Sequence, residues 1–586
     1  MTGPCDDVRI LSPDRPLEVE WQFDAPDLEA VDAWLRAQPA YAALTIVPSG
    51  DGVQHDTYYD STDWRVYLAG YSFRIRERGV GAQATLKSLG GVDNTGPVAR
   101  AEINEPIPDT TPPSGDGPVA SRLRLLLSGA ELGPLFTVRT HRRTWGVRSG
   151  ERAVAEIALD DTTVEAGTTS AQLRRVEVEE TDDGGLNEVE ALVEALRTAN
   201  GLVAVPGAKF AAGLAAAGLY PAPPDLGPHE LSREDTSAAR ALIVLRWRFS
   251  DFLAHESGTA LGEDPEQLHD MRVAARRLRA AFRVFRDVLP PALVRRGEAL
   301  REIGEALGSV RDLDVQIERF EGMRSASSWD DANAIAPLVS MLREQREPAR
   351  NVLLDLFMSD RYRRFVAEMR TMLAIEASTE GTESADDFAR AHVRDDARRF
   401  IRAANALEPT SPHAEYHELR KRGKRLRYLL EFFADCCGTT GARALRLLRV
   451  SQDRLGELQD LEVTDDRLRE LVRAQGSVLP VETLVMIGRL TEQHRARGES
   501  ITSRNEREIR PLLQMLDRLR DRMRQRRADD ASEEPGPEFP VEGSPADEEL
   551  RALVVAATRL QPSVARSRGL RNVLARLLRG THEGDR

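Results

Sequence analysis

Residues 269–285 read "HDMRVAARRLRAAFRVF" and residues 417–433 read "HELRKRGKRLRYLLEFF". The two align without a gap, and "LGSVRDLDV" (307–315) matches "LGELQDLEV" (455–463) at the same offset of 148 residues. Arg246 and Phe252 align likewise with Arg394 and Phe400, so the duplicated unit begins near 236 and again near 384. A repeat of this length signals a pseudo-symmetric architecture. On a helical wheel at about 100° per residue, His269, Arg272, Arg276, Arg279 and Arg283 share one arc, with Met271, Leu278, Phe282 and Phe285 opposite. In the second copy His417, Arg420, Lys421, Lys424 and Arg427 form the stripe, backed by Leu419, Leu426, Leu430 and Phe433. The spacing predicts amphipathic helices that bury one face in a bundle and turn a cationic ridge outward.

Like charges one turn apart repel by a few tenths of a kcal/mol per pair, and a solvated face normally dilutes them with acids. Here that interleaving is nearly absent, although the chain carries a formal net charge of -14. One reading pairs the ridges with acidic neighbours such as Asp312 and Asp314. Repetition at identical spacing favours a polyanionic ligand, to which His donates hydrogen bonds. Nucleic acid is disfavoured, because the ridges lack interleaved aromatic platforms and the chain is acidic.

The His-x-x-Arg-x-x-x-Arg/Lys-x-x-Arg ridges, followed 38 residues later by Leu-Gly-x-x-Arg/Gln-Asp-Leu-Asp/Glu-Val, resemble the CHAD domain (conserved histidine α-helical domain) over 233–526. The resemblance implies two pseudo-symmetric four-helix bundles, about 236–383 and 384–526, that bind inorganic polyphosphate through the ridges and associate with polyphosphate granules. Arg246 and Arg394 would contribute from the preceding helices. The second copy departs from the first at Gln459, where the first has Arg311.

Residues 17–215 read differently. Runs of period two, "LEVEWQF" (17–23), "YSFRIRER" (71–78), "ATLKSL" (84–89), "ARAEINE" (99–105), "FTVRTHRRTW" (136–145), "AVAEIALDD" (153–161) and "RRVEVEE" (174–180), predict strands. Helical patterns fall at 26–38, with Asp24 as cap, and at 186–199. One face of nearly every strand is charged with both signs: Glu18, Glu20 and Gln22; Arg74 and Arg76; Thr85 and Lys87; Arg100 and Glu102; Arg139, His141 and Arg143; Glu156 and Asp160; Glu177 and Glu179. An antiparallel sheet solvated on one side gives this pattern. So does a closed barrel with a polar lumen, in which carboxylates offer hard oxygen ligands to a divalent metal and cations hold phosphates.

The order "EVEWQ", "YYDS" (58–61), "FRIR", "TLK", "RAE", "ALDD", "VEVEE" and "GAKF" resembles the CYTH domain, or triphosphate tunnel metalloenzyme. This implies an eight-stranded antiparallel β tunnel that uses Mg²⁺ or Mn²⁺ to cleave triphosphates: inorganic or thiamine triphosphate, RNA 5′-triphosphate, or ATP to cyclic AMP. By position, Glu18, Glu20, Glu177 and Glu179 would be metal ligands, supported by Asp160. Arg74, Arg76, Lys87, Arg100, Arg139 and Lys209 would contact phosphate, and Glu102 and Glu156 would orient the cations or a metal-bound water. The family's Glu-x-Glu-x-Lys is broken by Gln22, which offers neither charge nor base. The chain's four lysines, Lys87, Lys209, Lys421 and Lys424, all fall in these phosphate motifs. In an arginine-dominated chain, lysine persists where a compact ammonium serves as a point charge.

At 586 residues the chain exceeds one ordinary core. The expected order is a multidomain α and β protein: tunnel domain 17–215, Pro-rich linker 216–232, helical domain 233–526, acidic disordered linker 527–548 and a tail 549–586 with a helix. No apolar run spans a bilayer and the N-terminus lacks an apolar leader, so a cytoplasmic protein without membrane partners is expected. Cys5, Cys436 and Cys437 make no disulfide framework. The leading expectation is a metal-dependent phosphohydrolase of triphosphate or polyphosphate. The alternative is a polyphosphate-binding protein with a degenerate tunnel; adenylate cyclase ranks lower, there being no recognisable adenine pocket.

Overall fold

The structure, a computed structural model, describes residues 17–90, 98–181, 186–205, 209–227, 230–232, 235–375 and 383–524. The expected acidic linker and tail helix lie outside the described residues. The first part runs β1 (Leu17–Asp24), α1 (Leu28–Ala37), β2 (Ala40–Tyr41), β3 (Leu44–Asp60), α2 (Arg65–Leu68), β4 (Tyr71–Glu77), β5 (Ala82–Ser88) and β6 (Val98–Ile107). It continues through α3 (Pro118–Leu127), β7 (Gly133–Ser149), β8 (Arg152–Ala166), β9 (Thr169–Glu180), α4 (Leu186–Asn200), β10 (Val203–Ala204) and α5 (Lys209–Ala217). The cap of α1 is Asp27, whose carboxylate accepts from the Glu29 amide, rather than Asp24.

The order β1-β6-β5-β4-β3-β7-β8-β9 closes through pairing of β9 with β1, so eight antiparallel strands form a ring, with β2 and β10 as short additions. Closure removes the exposed edges that an open sheet would present. Cross-strand partners share a face, so Tyr58, paired with Arg74, and Asp56, paired with Arg76, face the same way as Val138 and Phe136. Outside the ring, α1 and α4 cover a core of Leu35, Ile46, Trp145, Val147, Val189 and Leu196. At one end α5 packs Phe210 and Leu214 onto inward-facing Tyr58, Phe136, Val138 and Val164. A Cβ on Gly213 would lie 2.1 Å from the Phe136 ring, so the helix seats only because that position lacks a side chain.

The helical part comprises α6 (Ser237–Ala254), α7 (Glu256–Leu261), α8 (Pro265–Val284), α9 (Pro291–Gly297), α10 (Leu300–Ala326), α11 (Trp329–Met358) and α12 (Asp360–Leu373). The second copy comprises α13 (Ala385–Asn405), α14 (His413–Phe432), α15 (Ala434–Gln475), kinked at Gly438 (φ 59°), and α16 (Val481–Arg522). The repeat is visible at the caps. Thr236 caps α6 and Ser384 caps α13, and these two equivalent residues bridge each other. The Ser237 amide donates to the Glu383 carbonyl at 2.9 Å and the Ala385 amide to the Asp235 carbonyl at 2.8 Å, a reciprocal pair across a pseudo-twofold axis. The copies also share one apolar core, in which Phe285 stacks on Phe388 and Phe432. Among the described residues no helix is long and apolar enough to cross a membrane.

Candidate functional site

Alternation along the ladder decides what enters the ring. Glu20 pairs with Glu179, Glu179 with Glu156, and Gln22 with Glu177, so acids of β1, β9 and β8 form one row on the inward face. Of Glu18 the register alone is described; it stands opposite Arg100. Facing the row are cations. Arg100 Nη1 lies 3.1 Å and Lys87 Nζ 3.2 Å from the same Glu20 oxygen. Lys87 also approaches Glu102 at 3.4 Å, and Arg74 bridges Glu102 (3.7 Å) and Asp56 (3.5 Å). Arg76 forks onto Asp56 at 2.7 and 2.8 Å. Burial would raise the Asp56 carboxyl, but Arg74 and Arg76 hold it down to about 2.

Lys209, at the first turn of α5, bonds Asp160 and stands 3.1 Å from Glu177. Burial opposes the Glu177 charge, yet Lys209, Arg142 and Lys87 keep its pKa well below the usual range. Asp160 is fully buried between Lys209 and a forked Arg142 (2.8 and 2.7 Å), so it serves the cations as an anchor. The expected members Glu20, Arg74, Arg76, Lys87, Arg100, Glu102, Glu156, Asp160, Glu177, Glu179 and Lys209 thus share the inward face of the ring.

Arg139 does not join them. It is exposed and pairs with His55 and Thr163, on the outer face; His141 bonds Asp51 at 2.7 Å, and Arg143 reaches Glu29 of α1 at 2.9 Å. The inward arginine of β7 is Arg142, opposite Asp160. Shifting a strand by one residue exchanges its faces, and "RTHRRTW" carries arginine in both phases. Trp145, in phase with Arg143 and buried in the outer core, holds the information that selects the phase. Asp56, Tyr58 and Arg175 also line the inward face without having been expected there.

The donor chemistry fits a hard divalent cation, since neighbouring carboxylates of one row supply oxygen ligands. The Gln22 Oε1 is buried without a hydrogen-bond partner, a further oxygen beside that row. Among the described residues no three ligating side chains converge at metal-binding geometry, because Glu20 and Glu177 lean onto the cations.

The pseudo-twofold axis sets α8 against α14, so the two ridges meet in one cluster instead of diverging. Burial and the guanidinium groups of Arg420, Arg276, Arg427 and Arg272 pull the Lys424 ammonium down to about 7. The Nε atoms of Arg276, Arg311 and Arg420 are buried without a hydrogen-bond partner, although buried donors are ordinarily satisfied, and that of Arg427 has Glu431 at 3.5 Å. The acids nearby are few. Asp312 pairs with Arg272 at 3.1 Å, its equivalent Asp460 is pushed up by burial despite Arg420 and Lys424, and Asp314 is taken by Arg346. His417 bonds Gln459, whereas burial and Arg311 lower the pKa of His269. Gln459 therefore supplies a neutral acceptor where the first copy places a cation.

Other expected ridge members stand elsewhere. Lys421 is exposed on Glu418, and Arg279 lies along Gly304, a half-buried cation disfavoured by burial and Arg283. Arg394 is exposed on α13. Arg246 is buried and donates to the carbonyls of Leu373 (2.7 Å) and Ile375 (3.0 Å), tying α6 to the end of α12.

Residues 25–212 match the CYTH domain model and residues 243–469 the CHAD domain model. The chain joins a CYTH domain to a CHAD domain. No curated protein matches it. Among solved structures it is similar to the CHAD domain from the plant Ricinus communis (26% identity over 50% of this chain and 96% of that chain, TM-score 0.42). It is also similar to PptA from Streptomyces chartreusis (19% identity, 48% and 100% covered, TM-score 0.38). A third is HpAC1 from Hippeastrum, an adenylyl cyclase candidate described as having a dominant triphosphatase activity (18% identity, 35% and 97% covered, TM-score 0.27). The CYTH and CHAD domains indicate a triphosphate tunnel and a polyphosphate-related function, and CYTH tunnel proteins are in general metal-dependent.

Proposed function

We propose that the CYTH domain is a metal-dependent hydrolase of inorganic triphosphate or polyphosphate, and that the CHAD domain binds inorganic polyphosphate and brings the protein to polyphosphate granules in the cytoplasm. The observation that carries this reading is the inward face of the ring, where Arg74, Arg76, Lys87, Arg100, Arg142 and Lys209 surround the row Glu20–Glu179–Glu156. Glu18, Glu20, Glu177 and Glu179 would hold Mg²⁺ or Mn²⁺. Bound there, the metal would neutralise phosphate charge and polarise a water. The chain's own groups do the positioning. Arg74, Arg100 and Lys87 trade their present carboxylate contacts for phosphate oxygens, a charge-assisted exchange between anions. Glu102, which accepts from Asn104 at 3.0 Å, aims Lys87 and Arg74 inward, and Asp160 fixes Arg142 and Lys209. Glu156 completes the acid row and orients the attacking water.

In the CHAD domain, His269, Arg272, Arg276, His417, Arg420, Lys424 and Arg427 would hold a flexible polyanion that has no bases to read, and Arg279 would extend the track. The buried Nε atoms of Arg276 and Arg420, which lack a hydrogen-bond partner, are the supporting observation. A linked polyphosphate site raises the local concentration of substrate for the tunnel.

The test is phosphate release from triphosphate, long-chain polyphosphate and ATP with Mg²⁺ or Mn²⁺, beside a Glu18→Ala/Glu20→Ala variant. Metal-dependent release from the inorganic chains that vanishes in the variant is expected. Equal release by the variant would overturn the proposal. Gln22 favours one second reading, a binding protein on an enzyme's scaffold: polyphosphate bound by the wild type with no release above the variant is its signature.

A further inference from the structure

The tunnel has one blind end. The inward residues Tyr58, Phe136, Val138 and Val164 lie where β3 passes into β4, and α5 covers them with Phe210 and Leu214. Beyond that end the β3–β4 corner docks onto the helical part: Arg65 to Glu256 at 2.7 Å, Asp63 to Arg370 at 2.9 Å, and Leu261 within the apolar cluster of Val66 and Phe73. A phosphate chain longer than the lumen must therefore emerge at the opposite end, where β4 turns into β5.

Arg78 stands at that turn. Its amide closes the hairpin on the Gly81 carbonyl at 3.1 Å, and its guanidinium donates to the Gln83 side chain. Gln83 pairs with Arg76 and so shares the inward face. Arg74, Arg76 and Arg78 thus make a column at two-residue steps of ~6.6 Å, the last of them exposed at the rim. The position is electrostatically unfavourable: burial and the charges of Arg76 and Arg74 disfavour the Arg78 cation, with Asp56 as partial relief. Its bonded partner, Gln83, is neutral and leaves the charge to act on whatever leaves the mouth.

Resting on the reading of the lumen as a phosphate tunnel, we propose that Arg78 at the open mouth is a specificity-determining residue that grips phosphates beyond the third and favours long chains over triphosphate. The blind end makes the enzyme act on chain termini, and the terminus inside is followed outward by the segment that Arg78 holds. Triphosphate seated between Arg74, Lys87 and Arg100 does not extend to the rim.

The experiment compares full-length wild type with Arg78→Gln and Arg78→Lys, measuring kcat/KM for triphosphate and for a long-chain polyphosphate of defined length. In Arg78→Gln the ratio of the long-chain to the triphosphate value is expected to fall at least about fivefold, the worth of one ordinary hydrogen bond at this exposed rim, and Arg78→Lys recovers part of it. An unchanged ratio overturns the proposal. Should the wild type hydrolyse neither substrate, the hydrolase reading fails and binding decides Arg78. In a background with Arg272, Arg276, Arg420 and Lys424 changed to Gln, the affinity ratio must fall in the same way, and an unchanged ratio overturns the assignment.

Discussion

Gln22 occupies the inward face of β1 opposite Glu177, beside an acid row and within a ring of cations. Replacing it with lysine adds a charge next to Glu177 and restores the Glu-x-Glu-x-Lys pattern. Gln22→Lys is expected to raise phosphate release from triphosphate at least about a hundredfold, the lower end of what a single well-placed acid–base group contributes; an unchanged kcat would show that this position does not limit turnover. Arg142→Gln is expected to lower kcat/KM at least about tenfold, since a buried cation lost from between two acids leaves them uncompensated, while Arg139→Gln stays within about twofold as a surface change. The opposite ranking would mean that β7 presents its other face. This pair also marks the limit of what residue order reveals. The inward phases of β1 and β5 are legible because each carries its ionic groups in a single phase, and those of β4, β6, β8 and β9 because apolar residues fill the intervening positions: Phe73 and Ile75, Ala101 and Ile103, Ile157 and Leu159, Val176 and Val178. β7 carries arginine in both, and only the packing of Trp145 beneath α1 chooses between them.

At the scale of elements, the 148-residue repeat announced the helical half, and period-two runs announced seven of the ring's eight strands. The eighth, β3, is absent from those runs because Pro48, Gly50 and Gly52 interrupt its alternation; its ladder with β7 shifts register between Pro48 and Gly50, where an irregularity lets those residues sit inside a strand. Convergence of the ridges was not legible, because it depends on how two helices 148 residues apart are set together by the pseudo-twofold axis. It has a consequence for pH. The Lys424 ammonium, pulled down to about 7, is largely neutral at pH 8.5 and regains its proton when a polyanion replaces the repulsion of Arg420, Arg276, Arg427 and Arg272. Binding of polyphosphate is therefore expected to take up protons above pH 7 and to weaken as pH rises, with no such contribution from Lys424 below pH 6. Calorimetry in buffers of different ionisation enthalpy measures the uptake, and Lys424→Arg should lose most of it. Undiminished uptake in that variant would assign the proton to another group. Affinity should also fall steeply with salt, as for any ligand that displaces counterions from a phosphate chain.

For the whole molecule, the contact between the domains is specific. Glu256 is buried and accepts from Arg65 of the CYTH domain and from Tyr362 of the CHAD domain, both at 2.7 Å. Glu256→Ala leaves Arg65 short of its partner and is expected to cost about 3 kcal/mol, typical for breaking a buried ion pair, seen as a lowered melting temperature. A stability equal to wild type would mean that the contact does not hold the domains. Neither sequence pattern hinted at this corner, since Arg65 and Glu256 stand 191 residues apart in the chain and neither belongs to a periodic run. The central claim is that the inward face of the ring is a phosphate and metal site. A crystal structure of the full chain with triphosphate and Mn²⁺ tests it most directly. The account predicts triphosphate inside the ring, its oxygens within about 3 Å of Arg74, Lys87, Arg100 and Arg142, and an anomalous manganese peak beside Glu20 and Glu179. Triphosphate found only on the α8–α14 cluster, with the lumen still closed by its own ion pairs, would contradict it.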